Sequence, residues 1–237
     1  MDFHLLNILL QYISNTNFNT MKKLLCSIFV ILTSSTLFGQ AQDKGEFSFN
    51  IDYDMGIHGT MYTSEYQGNA DNDPDTSAAG TQMIRINAQY NILKWLSAGL
   101  DLRTGSYLED PENATANGNK VNMWGVSLRL YPVNRDKFVW YLGTTLGGSR
   151  LEINRIYTFL IAIPAQYKFR SPHLGIETGF NWYFAKNFGL NFGLGYSSQN
   201  FEMTEYYLNG DKQDLADWNN HLVTKGVHTN IGLAFHF

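Results

Sequence analysis

The sequence is short of cysteine, proline, charge and long apolar runs. It has one cysteine, five prolines, and only 16% charged residues. The one cysteine, Cys26, lies in an apolar stretch near the start, so the rest of the chain has no disulfide framework and no thiol chemistry. A charged fraction this far below the usual ~25% does not suit an ordinary soluble surface. After the first forty residues, no uncharged window reaches the ~18 residues that a spanning helix needs. Together with a mean hydropathy of −0.24, this excludes a helical membrane protein. A basic excess is missing too. Of 17 basic and 21 acidic residues, Lys22, Lys23 and Asp2 precede Gln42, which leaves the remainder with a net charge of −5. An acidic chain without a basic cluster argues against nucleic acid as a partner.

What is abundant is glycine (21 residues) and aromatic side chains (15%). The early region reads as export. Met21-Lys22-Lys23 is a short basic start, Leu24 to Leu37 an apolar run, and Gly39-Gln40-Ala41 a small-residue cleavage point before Gln42. That is the pattern of a secretory signal peptide, and Cys26 lies too early in it for lipidation. Residues 1–20 fit no part of that plan, and Met21 reads as the initiator. The expected organisation is therefore an extension at 1–20, a signal at 21–41 and a barrel at 42–237.

From Gln42 on, the apolar pattern has period 2, the mark of strands with two unlike faces. Three short turns repeat: Tyr90–Leu96, Tyr131–Phe138 and Tyr183–Leu190 each join an aromatic strand end to an apolar strand start through a lysine-bearing turn. Eight strands are predicted, roughly 46–57, 82–92, 96–107, 121–131, 138–149, 173–184, 188–199 and 226–237. Longer polar loops are expected at 58–81, 108–120, 150–172 and 200–225, with apolar 158–163 a strand extension or a folded loop. One face carries Phe47, Ile51, Ile84, Leu100, Trp124, Leu142, Ile176 and Leu194. The other carries Asn50, Asn87, Gln89, Asn181, Asn191 and inward glycines such as Gly99, Gly143, Gly179, Gly193 and Gly195. An all-β, eight-stranded antiparallel up-and-down transmembrane barrel follows, with the aromatics of the short turns forming a periplasmic girdle. The opposite assignment, a soluble barrel with the aromatic face inside, shares the pattern. The signal peptide and the last strand favour the membrane.

That last strand is Gly226 to Phe237, with Val227, Ile231, Leu233, Phe235 and Phe237 on one face and Gly226, His228, Asn230, Gly232, Ala234 and His236 on the other. An apolar-faced strand ending in phenylalanine resembles the closing strand of bacterial outer-membrane β-barrels. The resemblance implies that Phe235 and Phe237 are read by the barrel-assembly machinery. From about residue 42 to the end, the chain resembles the small OmpA/OmpX/OmpW-like group, the "outer membrane protein beta-barrel domain", without a peptidoglycan-binding domain after it. It rests on architecture and the last strand, with no catalytic or ligand motif. It implies a bacterial outer-membrane location, contact with outer-membrane lipid and lipopolysaccharide, and a role in envelope integrity, adhesion or an envelope protein complex. Weak transport of small hydrophobic molecules is a further implication.

Candidate function rests on the inward charges. Asp52, Asp54, Asp101 and Glu177 share the inner face with Arg85, Arg103 and Arg129, in a lumen that eight strands leave just wide enough for side chains. Buried charges must pair or stay wet, so these residues either plug the barrel or line a narrow path. A structural or interaction barrel working through its loops is the first expectation, a narrow channel the second and a lipid-modifying enzyme the third. His173 near Ser171, His221, His228 and His236 form no recognisable nucleophile–base order, so no catalysis and no cofactor are expected. Asp71-Asn72-Asp73-Pro74-Asp75 starts like a calcium loop but has Thr76 and Gln82 where Gly and Glu are needed. Asn113-Ala114-Thr115 is a glycosylation sequon of little meaning in a bacterial export context.

Overall fold

The computed structural model describes residues 42–66, 69–70, 74–109, 118–158, 162–215 and 218–237. The expected extension, signal peptide, sequon and most of the acidic loop lie outside them. Eight long strands make the barrel: β1 Phe47–Tyr66, β2 Asp75–Leu93, β3 Leu96–Leu108, β4 Asn119–Arg135, β5 Phe138–Thr158, β6 Ala162–Ala185, β7 Phe188–Leu208 and β8 Trp218–His236. Two-residue strands at Asn69–Ala70 and Asp211–Lys212 extend β1 and β7 at one end. Each strand pairs antiparallel with the next, and β8 returns to pair with β1 from Ser48↔His236 to Tyr66↔Trp218. The ring of eight therefore closes on itself, leaving no edge strand in its lower part. At the lower end the turns are two residues long, at Lys94-Trp95, Asp136-Lys137 and Lys186-Asn187. They are the three repeats seen in the sequence.

The strands run much further at the upper end than the sequence suggested. β1 continues to Tyr66 instead of stopping near 57, and β5 and β6 pair up to Thr158↔Ala162. The expected loops at 58–81, 150–172 and 200–225 are mostly strand. The apolar 158–163 stretch is strand extension at both ends, with 159–161 outside the described residues.

The reason for the misreading is an inversion of polarity along β2–β7. In the lower part the exposed face is apolar, with Ile84, Ile86, Leu100, Leu102, Trp124, Val126, Leu146, Leu174 and Ile176 all exposed. Above it, the exposed face turns polar: Lys120, Asn122, Arg150, Arg170, Asn200 and Glu202. The buried face changes in the opposite sense. It carries Asp, Arg and Asn below, and above it carries Met83, Tyr107, Val121, Met123, Leu151, Ile153, Phe169 and Phe201 in one apolar cluster. Each half obeys the hydrophobic effect in a different solvent. The lower half turns apolar groups outward to lipid, as transmembrane barrels do. The upper half turns them inward, as a water-soluble barrel does. A strand crosses a bilayer in about 9–11 residues, so strands of around twenty stand well clear of it.

The same rule corrects the girdle. Tyr90, Trp95, Phe138, Trp140, Trp182 and Phe184 are exposed around the lower rim, but Tyr131 and Tyr183 are buried inside it. β-bulges between Leu130 and Val133 and between Tyr183 and Ala185 set the local phase there. The segment 42–46 lies at this end: Gly45 N–H donates to Asn91 O at 2.8 Å, and the buried Gln42 amide donates to the Tyr183 hydroxyl at 3.3 Å. Lys94 pairs with Asp43 at 2.8 Å beside it.

Candidate functional site

The charges that β1–β4 and β6 place on the buried face meet in the lumen. Glu177 lies at their centre. Arg85 donates to both its oxygens, Nη1 to Oε2 at 2.6 Å and Nη2 to Oε1 at 2.9 Å, and Arg129 Nη2 adds a third bond at 2.9 Å. Arg85 Nε also donates to Asp101 Oδ2 at 2.6 Å, and Arg103 Nε reaches the other Asp101 oxygen at 2.7 Å. Arg103 Nη1 continues to Asp54 Oδ2 at 3.2 Å. A single chain of ion pairs thus runs Arg129–Glu177–Arg85–Asp101–Arg103–Asp54. The seventh charge, Asp52, is the register partner of Arg85, but its oxygen is bonded to the Asn191 amide at 2.8 Å. Arg85 and Arg129 are 0% and 1% exposed. Bidentate guanidinium–carboxylate pairing of this kind offsets the desolvation that makes buried ions costly.

Room for the cluster comes from a missing side chain. A Cβ on Gly143, the register partner of Glu177 on β5, would meet Glu177 Cγ at 3.0 Å, Glu177 Oε1 at 3.2 Å and Arg129 Cγ at 3.4 Å. Gly143→Val should therefore push Glu177 off one arginine. The expected result is a urea midpoint lowered by an amount equivalent to about 2 kcal/mol, within the range of overpacked sites. An unchanged midpoint would show that the cluster has slack.

Further polar side chains tie the cluster to the wall. Asn87 and Gln89 connect Asp101 to Ser127, Ser97 and, through Ser97, Tyr131. Arg129 lies over the Tyr141 ring at 4.1 Å. Below, Tyr131, Val139, Tyr141, Tyr183 and Ala234 form a second buried cluster, with His236 against Tyr183. His228 Nε2 accepts from Arg103 at 3.3 Å, and His58 bonds Thr81 at 3.1 Å. His173 bonds Gln199, which accepts from Thr224. The lumen is therefore layered: aromatic at the bottom, ionic in the middle, imidazoles next and apolar at the top. The upper apolar layer escaped the sequence reading because Leu151, Ile153, Phe169, Phe201 and Leu222 lay in segments taken as loops, and Met83, Tyr107, Val121 and Met123 lay at strand ends on the face taken as polar.

The other sequence candidates lie apart. Ser171 gives its hydroxyl hydrogen to Pro172 O at 2.6 Å and accepts from Asn200 N–H at 2.8 Å, while His173 turns to Gln199. No group of three or more His, Cys, Asp or Glu among the described residues could hold a metal ion. Phe235 is 5% exposed between Phe49 and Phe188, with ring centroids at 6.3 and 5.3 Å. Phe237 projects its ring outward, and its backbone exchanges two hydrogen bonds with Phe47, at 2.8 and 3.0 Å, across the closing seam.

No family model matches the chain, and no curated protein matches it. Solved structures do. The outer membrane protein OprG from Pseudomonas aeruginosa superposes with a TM-score of 0.54 over 84% of this chain and 98% of its own, at 13% identity. The outer membrane protein AlkL, solved in lipid bilayers, gives 0.45 over 86% and 95% at 10% identity. The attachment invasion locus protein Ail of Yersinia pestis gives 0.36 over 81% and 99% at 11% identity. The OprG superposition carries the fold, which agrees with the closed ring, the apolar outer belt and the filled lumen: the chain is a β-barrel of the bacterial outer-membrane type.

Proposed function

We propose that this protein is a closed barrel of the outer membrane that works through its protruding upper half, as a structural or interaction component of the envelope. The observation that carries this reading is the lumen: among the described residues, ion pairs, imidazoles and two apolar or aromatic layers fill it. The upper half is a strand-built platform with a mostly polar outer surface, suited to contact with other envelope molecules. No catalytic role is assigned.

Orientation is the first test. The chain from Gln42 has no native cysteine, so single introduced cysteines report cleanly. On intact cells, a membrane-impermeant maleimide should label Asn209→Cys, at the upper end, and leave Asp136→Cys, in a lower turn, untouched. Labelling of Asp136→Cys on intact cells would place the platform on the wrong side and sink the reading.

A further inference from the structure

The place where the polarity of the strands inverts carries an unusual pair. Arg150 on β5 and Arg170 on β6 stand directly opposite each other on the outer face. Like charges opposite one another across strands are destabilising. Neither guanidinium makes an ion pair among the described residues; Arg150 lies over the Trp124 ring at 5.4 Å. Both line a groove of about 310 Å³, with Lys120 and Lys168 beside them.

Two of the three acids nearby are engaged by other side chains. Glu205 pairs with Lys168 and Lys212, both at 3.0 Å, and those hydrogen bonds, Lys168 first, hold its carboxyl down at about 2. Glu152 accepts from Gln166 at 2.9 Å. Glu202 is the register partner of Arg170 but makes no ion pair with it. The groove thus presents two adjacent guanidinium forks that make no ion pair with Glu152 or Glu205 in its lining, nor with Glu202 beside it. That geometry matches the oxygens of a phosphate, which accepts paired N–H donors.

Depth identifies the phosphate's source. Below the pair on the outer face come Gly148 and Pro172, then the exposed Leu146 and Leu174. Above it come Glu152 and Lys168. From Phe138 at the lower rim to Arg150 the strand climbs roughly 30 Å at the usual rise and tilt, close to the thickness of a bilayer's hydrocarbon core. The pair therefore stands where outer-leaflet headgroups begin, with Trp124 at the same boundary. We infer that Arg150 and Arg170 form a binding site for the phosphate of an anionic outer-leaflet lipid of the lipid A class. This rests on the membrane orientation proposed above.

The test is native mass spectrometry of the full-length protein, purified in detergent from cell envelopes and offered lipid A or its dephosphorylated form. The wild type should retain lipid A at least about tenfold better than the dephosphorylated lipid, the scale of one or two charge-assisted hydrogen bonds. R150Q and R170Q, made singly and together, should lose that preference. R150K/R170K should recover part of it. Millimolar inorganic phosphate should not displace the lipid. Equal retention of both lipids by the wild type, or an unchanged preference in the glutamine variants, would overturn the site. Displacement by inorganic phosphate would overturn the lipid source. Each variant is checked for the heat-dependent gel shift of a folded barrel, and the single variants answer the question if the double one fails to fold. A folded, correctly oriented barrel with no lipid preference removes the site alone, whereas reversed cysteine labelling removes the placement beneath it.

Discussion

Glu177→Gln should lower the unfolding free energy of the refolded barrel by about 3–5 kcal/mol, the cost of stripping one partner from a buried ion cluster. Arg129 has no other carboxylate partner among the described residues, while Arg85 retains Asp101. The glutamine keeps the shape and removes the charge, so the loss is electrostatic rather than steric. Arg129→Gln alone should also destabilise, and the pair Glu177→Gln with Arg129→Gln should lose clearly less than the sum of the two, because each single change strands a charge that the double change removes. Urea titration of the barrel in phospholipid vesicles measures all three. Strict additivity would mean that water, not Glu177, neutralises Arg129.

The second large effect separates Phe235 from Phe237. Phe235→Ala removes a ring packed between Phe49 and Phe188 and should cost about 3 kcal/mol of stability. Phe237→Ala removes an outward ring that is 59% exposed and keeps both backbone bonds to Phe47. Its stability should stay within about 1 kcal/mol of wild type, as for an exposed position. Its yield in cell envelopes should nevertheless fall several-fold, because the proposed role of Phe237 is recognition during assembly. Comparing the inserted amount with the midpoint of the refolded protein separates the two. If Phe237→Ala reaches normal levels, the terminal aromatic is incidental to assembly.

The lower half of the barrel was legible because lipid on one side and a narrow lumen on the other impose one unbroken alternation, as in Phe138 to Leu146 or Val227 to Phe237. The upper half was not. At Trp124 and again at Arg150 the phase of that alternation reverses: Lys120-Val121-Asn122-Met123 has its apolar residues on the face that carries Ser127 and Arg129 further along. With one constant apolar face expected, the strand starts at Val121 with its apolar residues out of phase, and the stretch beyond Arg150 reads as a loop. The reversal itself is visible in the sequence and is the signal that could have found the membrane boundary. Which charges face inward was equally legible, since face follows from parity. Their pairing was not. Glu177 reaches Arg85 and Arg129 across the lumen only because the barrel's shear brings β2, β4 and β6 to one level and Gly143 leaves space. The Arg150–Arg170 pair was hidden for the same reason: both residues lay in an expected loop, twenty residues apart in sequence and opposite one another only through the β5–β6 register.

The claim that the lumen is a plug and not a path is tested most directly by planar-bilayer recording of the wild type beside Arg103→Ala. Arg103 bridges Asp101, Asp54 and His228, so its removal opens the ionic layer at its upper side. A silent wild type, with Arg103→Ala destabilised and giving small ion-conducting events, is the expected result. A wild type that already conducts, and a variant that changes ion selectivity without moving the unfolding midpoint, would contradict it.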